Sequence, residues 1–269
     1  MRGWFEAMRR YLGLLRLFAQ NSLLTSLEYR VNFAGALLIS LLDAMWAVGG
    51  ALLFYTHRAT IGGWTFHEAL IVIGMFFIAS GFVDAVMQPN VRDVIEAVRT
   101  GAMDYVLIRP VNAMFHATLR RLRFDKCSSL LVGALLIGYA LLQLRLRPAP
   151  EQWLLFVLLS LAAIALLYAL MAALAALCFW VVDIANIDEL VMGALETARF
   201  PAQAFPEPLR GLISFVIPIA FISTAPAEAL LGRLTPALAL YGLAFAAAAL
   251  WLSARAWRRA VAHYTSASS

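Results

Sequence analysis

Apolar residues are gathered into five long runs that few charged residues interrupt. Each run is close to the ~20 largely apolar residues that a helix needs to cross the hydrocarbon core of a bilayer. The runs occupy residues 31–55, 69–87, 127–144, 153–182 and 234–254. This pattern predicts an all-α, polytopic integral membrane protein.

Basic residues are distributed unevenly around these runs. Arginines cluster before the first run, through residues 88–126 and after the last run, whereas the loops after the first and third runs carry only Arg58, Arg145 and Arg147. Cytoplasmic loops of membrane proteins carry the excess of Lys and Arg. We therefore expect the N-terminus, the 88–126 loop and the C-terminus to be cytoplasmic.

The stretch between the fourth and last runs has a different pattern. Residues 184–200 are amphipathic, whereas 211–227 are apolar but contain Pro218 and Pro226. Either 184–200 is a cytoplasmic loop and 211–227 crosses, or 184–200 crosses and 208–227 is re-entrant. Prolines interrupt helices, and broken segments at membrane depth are tolerated where protein or water covers them. The re-entrant alternative is favoured, which gives about six membrane-embedded helices with a re-entrant segment before the last one.

The first 20 residues have helical periodicity with an aromatic-rich apolar face opposite arginines. This arrangement is typical of a helix lying in the membrane interface, and an ordinary soluble amphipathic helix is the alternative. Arg16 interrupts the only apolar stretch of this segment, so no cleavable signal peptide is predicted.

Composition supports the membrane class. The chain is 63% hydrophobic and only 14% charged, with a net charge of +5. Soluble domains are about 25% charged. In this setting the arginines are expected to set orientation and to contact anionic lipid headgroups, so a nucleic-acid partner is not expected.

The 88–126 loop contains a short amphipathic helix, predicted over residues 91–104. Gly101 stands where a C-terminal cap is expected, and Pro110 ends any further helix. The polar face carries both signs of charge, which favours docking to a cytoplasmic partner protein. A helix resting on the lipid surface is the alternative, although a strongly basic polar face would then be expected.

Several ionisable residues fall at membrane depth. Asp43 lies in the middle of the first run, where a charge is costly against lipid, so it is expected to face the bundle interior or water. Glu196 and Arg199 are spaced to form a pair on a helix. The candidate residues for a translocation path or a subunit contact are Asp43, Asp84, Glu189, Glu196 and Arg199.

Signatures of catalysis are absent from the sequence. The only lysine, Lys126, does not follow a glycine-rich loop, so no phosphate-cradling motif of an ATPase is present. Neither an H-E-x-x-H metal motif nor a G-x-S-x-G nucleophile elbow occurs. The two cysteines lie in apolar runs and predict no disulfide framework. We expect no catalytic residue, no metal site and no cofactor bound by this chain.

Ordered short motifs along nearly the whole chain resemble the type-2 family of ABC transporter permeases, in a bacterial branch of about this length. They include Glu28-Tyr29-Arg30-x-Asn32-Phe33, Gly62-Gly63-Trp64, Pro89-Asn90-x-Arg92, Gly101-x-x-Asp104-x-x-Leu107-x-Arg109-Pro110, Phe179-Trp180, Arg199-Phe200-Pro201, Phe205-Pro206, Pro218 and Tyr264-Thr265-Ser266-Ala267-Ser268-Ser269. The polarity of 184–200 departs from the broader family pattern.

The resemblance implies a multi-pass export permease in the bacterial plasma (inner) membrane. It implies a separate cytoplasmic ABC ATPase subunit that binds ATP and Mg²⁺, and a second permease copy in a homodimer or heterodimer. The loop after the second span would be the coupling loop. The residues thereby assigned to ATPase coupling are Arg92, Asp93, Glu96, Arg99, Gly101, Asp104, Arg109 and Pro110.

The expected organisation is a single permease domain over residues 1–269. Its parts are an interfacial helix (1–30), spans 1–2 (31–87), the coupling loop (88–126), spans 3–4 (127–182), span 5 with the re-entrant segment (183–233), span 6 (234–258) and a cytoplasmic tail (259–269). An ion-coupled secondary transporter using Asp43 is the main alternative, but it predicts broken helices in both halves of the chain. A non-transporting membrane scaffold is a third possibility.

Overall fold

The computed structural model describes residues 2–28, 30–108, 111–180, 193, 195–211 and 220–264. The described part is helical without a named strand, which confirms the all-α prediction. The helices are α1 (Arg2–Glu28), α2 (Arg30–His57), α3 (Phe66–Phe82), α4 (Gln88–Thr100), α5 (Asp104–Leu107), α6 (Ala113–Leu119), α7 (Cys127–Gln143), α8 (Pro150–Leu177), α9 (Glu207–Gly211), α10 (Ala220–Leu230) and α11 (Pro236–His263).

Five helical stretches among the described residues are long and apolar enough to cross a membrane. They are Val31–His57, Phe66–Thr100, Phe124–Gln143, Pro150–Leu177 and Pro236–His263. These spans coincide with the five apolar runs, so the chain is a polytopic membrane protein.

The second span, α3, lies at the centre of the bundle, and it is far more buried than the other four. It packs against α7 through two glycines whose backbones nearly touch. A Cβ atom built on Gly74 would lie 2.7 Å from the carbonyl oxygen of Gly133. Small residues allow helices in membranes to approach this closely, so α3 and α7 form one tightly packed pair.

The two ends of the bundle differ in composition. One end, here called the arginine-rich end, holds residues 101–108 and 111–126 together with the end of α11; Asp104 lies beside Tyr264 there. The opposite end holds the loops 58–65, 144–149 and 231–235; Gly232 meets the side chain of Gln152 there. α8 and α11 both run from the opposite end to the arginine-rich end.

The described residues before α11 lie at different depths of the bundle. Arg199 lies deep in the bundle, with its guanidinium 4.7 Å from the ring centre of Phe76. Gln203 has already reached the opposite end, where it accepts a hydrogen bond from Trp64. α10 then begins beside Gly242, inside the bundle, and returns to the opposite end. Residues 184–192, 194 and 212–219 lie outside the described residues, so the predicted crossing by 184–200 and the predicted re-entrant segment over 208–227 stay predictions.

Helix α1 packs along the arginine-rich end. The amphipathic pattern of this segment predicted that it is helical. Tyr11 makes an edge-to-face contact with Phe115, at 4.7 Å between ring centres. Phe18 contacts His116 in the same way, and Ser22 accepts a hydrogen bond from the backbone N–H of Leu122. α1 therefore covers the 111–123 segment of the loop.

Candidate functional site

The second span continues into the 88–126 loop without a break. A π-helical turn, Val83–Met87, joins α3 directly to α4, and the N–H of Gln88 donates to the carbonyl of Val83. The amphipathic helix predicted over 91–104 is therefore the end of the second span rather than a separate element. It begins at Gln88 and ends at Thr100. We call the continuous stretch from Val83 to Ile108, which includes the π turn, α4 and α5, the loop lever.

The π turn is tied to the far end of the loop. Pro89 has no N–H, so the carbonyl of Ala85 lacks its usual helical donor. That carbonyl instead accepts a hydrogen bond from the N–H of Arg123, at 2.7 Å. Asn90 is buried and exchanges two hydrogen bonds with the backbone of Arg121, at 2.7 and 2.8 Å. Residues 121–123 and the base of α4 consequently form one unit.

The charged residues of α4 divide into two groups. Asp93 turns inward and forms ion pairs with Arg120 and Arg121, at 3.2 and 2.7 Å. Glu96 and Arg99 pair with each other at 2.8 Å, and both side chains are more than half exposed. Asp93 thus stabilises the fold of the loop, whereas Glu96 and Arg99 are available to contact a partner protein. Arg92 is exposed on the same helix.

Gly101 caps α4 as predicted, with a left-handed backbone at φ 75°. Beyond it, Met103 is fully buried and anchors α5. Tyr105 and Ile108 point away from the protein and are 71% and 78% exposed. Arg109 and Pro110 lie outside the described residues.

Sequence reasoning missed Tyr105 and Ile108, because it selected charged residues. The signal available was two large, largely apolar side chains three positions apart, four and seven positions after the Gly101 cap. Such side chains at the tip of a loop are suited to a protein contact.

Asp104 links the loop lever to the end of the last span. It lies beside Tyr264, the residue that follows α11. Partial burial and then the negative charge of Asp104 raise the pKa of the Tyr264 hydroxyl. Phe179 packs edge-to-face on both Tyr264 and Trp257, at 5.6 and 5.7 Å between ring centres. The ends of α8 and α11 and the loop thus meet at one place.

The intramembrane candidates are not brought together. Asp43 is exposed on the outer surface of α2, so the interior of this chain does not contain it. Asp84 lies half-buried in the π turn. Glu196 and Arg199 form the predicted pair at 2.7 Å, with Arg199 mostly buried. Glu189 lies outside the described residues.

A second polar cluster, here called the opposite-end cluster, was not predicted. Glu68 forms an ion pair with Arg233 and accepts a hydrogen bond from the N–H of Thr65. Trp64 donates to Gln203 at 3.0 Å, and Gln203 donates to Glu228 at 2.7 Å. The cluster connects Gln203 and the end of α10 to the start of α3.

No group of three or more His, Cys, Asp or Glu side chains in the described part of the chain is placed to hold a metal ion. The fold therefore defines a helical membrane protein whose central span continues into the loop lever at the arginine-rich end.

Comparison with protein families agrees with this class. The family model described as ABC-2 family transporter protein matches residues 36–268. The chain therefore belongs to the ABC-2 transporter family, a family of membrane transport components, and the resemblance seen in the sequence is confirmed. No curated protein and no solved structure shows significant similarity to the chain.

Proposed function

We propose that this chain is the membrane-spanning permease subunit of an ATP-driven exporter, with ATP and Mg²⁺ bound and hydrolysed by a separate cytoplasmic ATPase subunit. The observation that carries the proposal is the continuity of the central span with the loop lever, from Phe66 to Thr100. A force applied at the tip of this helix is transmitted to the most buried helix of the bundle.

The exposed residues of the loop lever would form the contact with the ATPase. Glu96 and Arg99 supply charges of both signs, and Tyr105 and Ile108 supply apolar anchors. Arg92, Arg109 and Pro110 belong to the same proposed surface. Gly101 and the inward-facing Asp93 and Asp104 would hold its shape.

The arginine-rich end is proposed to be cytoplasmic, in a bacterial inner membrane. It gathers the 88–126 loop, α1 and the end of α11, and these segments carry most of the arginines. The excess of basic residues at one end supports this orientation. Both termini would then be cytoplasmic, and the opposite-end cluster would face outward.

A second permease copy is proposed to cover the Asp43 surface of α2. Asp43 is exposed near the middle of an apolar span, where contact with lipid is costly. Protein or a watery path between two copies removes that cost. Asp84, Glu189, Glu196 and Arg199 are proposed, separately from Asp43, for a translocation path or a subunit contact.

The proposal is tested with the purified chain in lipid and the ATPase that co-purifies with it. Ile108→Asn and Arg99→Glu are expected to weaken ATPase binding and to reduce stimulation of ATP hydrolysis. The matched controls are Leu146→Asn and Arg147→Glu, which alter exposed residues at the opposite end. All four changes are on the surface, so each should alter stability by less than about 0.5 kcal/mol.

Three results would contradict the proposal. The first is unchanged binding and stimulation in both loop variants. The second is the absence of any ATPase from the purified wild-type protein. The third is transport that continues without an ATPase and stops in Asp43→Asn, which would identify an ion-coupled transporter.

A further inference from the structure

A long apolar groove runs between α8 and α11, at the half of the bundle nearer the arginine-rich end. Its volume is about 580 Å³, within the usual range of ~300–1,000 Å³ for ligand sites. Leu170 and Ala173 form one wall, Phe245 and Ala249 form the other, and Ile222 of α10 closes the inner end. The distance along α11 from Phe245 to Arg259 is about 21 Å at 1.5 Å per residue.

Positive charge is confined to one end of this groove. Arg255 and Arg259, one turn apart on α11, are the two charged residues that line it. Both are exposed, and neither forms an ion pair with a carboxylate within the part of the chain that the structure describes. The Arg255 guanidinium lies 5.3 Å from the ring centre of Trp251.

The neighbouring Arg258 provides an internal comparison. It lies on a different face of α11 and lines a separate cavity with Asn112, Ala113 and Met114. A general requirement for positive charge at the membrane surface would involve all three arginines equally. A ligand in the groove would involve Arg255 and Arg259 but not Arg258.

We propose that the groove binds an anionic phospholipid of the surrounding bilayer, with its phosphate at Arg255 and Arg259 and an acyl chain between α8 and α11. The groove opens on the surface of a membrane span, so the bilayer supplies its occupant. Basic pockets between membrane helices at the cytoplasmic side are suited to anionic headgroups. The proposal rests on the orientation proposed above, but lipid binding requires neither the ATPase nor transport, so its failure is distinguishable from theirs.

The headgroup contact is tested by native mass spectrometry of the full chain in detergent, titrated with phosphatidylglycerol or phosphatidylcholine. The wild type is expected to retain phosphatidylglycerol in preference to phosphatidylcholine. Arg255→Gln and Arg259→Gln should each weaken phosphatidylglycerol retention about fivefold, the effect of one basic residue near an anionic membrane. Arg258→Gln removes the same charge from the same helix and should leave retention unchanged.

The acyl-chain contact is tested by filling the groove. Ala249→Trp places a large side chain in it and should reduce phosphatidylglycerol retention at least as strongly as loss of one arginine. Ala248→Trp, on the exposed neighbouring position outside the groove, is the control. The proposal is overturned if Arg258→Gln loses as much binding as Arg255→Gln and Arg259→Gln, if the two alanine variants behave alike, or if the wild type shows no preference for phosphatidylglycerol.

Discussion

Arg233 donates a hydrogen bond to the carboxylate of Glu68, which lies 165 residues earlier in the sequence. The contact joins the turn after α10 to the first turn of α3, the central helix. Glu68 is buried at 6% exposure, whereas the Arg233 side chain is about half exposed. The turn after α10 is therefore attached to the helix that continues into the loop lever at the other end.

Arg233→Gln should destabilise the protein. The substitution leaves the buried Glu68 carboxylate without its charged partner, which we expect to cost about 2 kcal/mol of unfolding free energy. The cost is no larger because solvent screens the exposed Arg233 side of the pair. Thermal unfolding in detergent would measure the loss. Arg210→Gln breaks a more exposed pair, with Glu207, and should have little effect. Equal unfolding temperatures for the two variants would contradict this prediction.

Gly62→Ala should be more damaging than Gly63→Ala. Both glycines have positive φ angles, +57° and +83°, so an alanine at either position carries a backbone cost of about 1–2 kcal/mol. Only at Gly62 does the new Cβ also meet the backbone oxygen of Gln203, at 2.5 Å, while Gly63 faces open space. The unfolding temperature of each variant measures the difference, and a larger loss at Gly63 would be inconsistent with the contact to Gln203.

Gly133→Ala should separate α3 from α7. A Cβ at Gly133 would overlap the backbone oxygen of Gly74, which cannot move without shifting the helix. Overpacking of this kind costs about 1–3 kcal/mol. Gly138→Ala on the same helix meets no atom within 4 Å and is the control. Crosslinking between cysteines placed on α3 and α7 would report the separation, and unchanged crosslinking in Gly133→Ala would refute it.

Glu228→Gln should remove a pH dependence of stability. Burial raises the pKa of Glu228, while the hydrogen bond from Gln203 and the charge of Arg233 act in the opposite direction. The folded state therefore holds this proton more tightly than the unfolded state. Stability is highest below the ordinary carboxyl pKa of about 4.3 and decreases as pH rises through the folded-state pKa.

The measurement for this prediction is the unfolding temperature across the range from acidic to neutral pH. Glu228→Gln has no proton to lose there, so its curve should be flatter and should lie above the wild-type curve at neutral pH. Glu207→Gln, at an exposed position, should follow the wild type. A wild-type stability that rises through the same window would show that another group dominates.

The sequence was sufficient for features that depend on local pattern. Apolar length alone located the five spans, Gly101 was recognised as a cap, and the spacing of Glu196 and Arg199 predicted their pair. Each depends on residues a few positions apart, which helical geometry relates directly.

Features that depend on distant partners were not predictable in this way. A separate helix was predicted over residues 91–104, yet the second span continues through Pro89 into α4. The carbonyl of Ala85, which Pro89 leaves without its helical donor, accepts a hydrogen bond from the N–H of Arg123, on another part of the loop. Asp93 was assigned with Glu96 to ATPase coupling, but it pairs with Arg120 and Arg121 within the chain. No local rule indicates that Trp64 and Gln203, 139 positions apart, share a hydrogen bond.

The π turn at Val83–Met87 restricts where a residue can be deleted from this chain. A π turn contains one more residue than the α-helical turn it replaces. Deleting one residue there would restore a regular helix and rotate α4 by about 100° about its axis. Glu96 and Arg99 would then face a different direction, and Asn90 would no longer meet Arg121. The direction in which α4 presents its exposed side chains thus depends on one inserted residue. Shortening this turn should therefore be far less tolerated than shortening the exposed loop at 144–149.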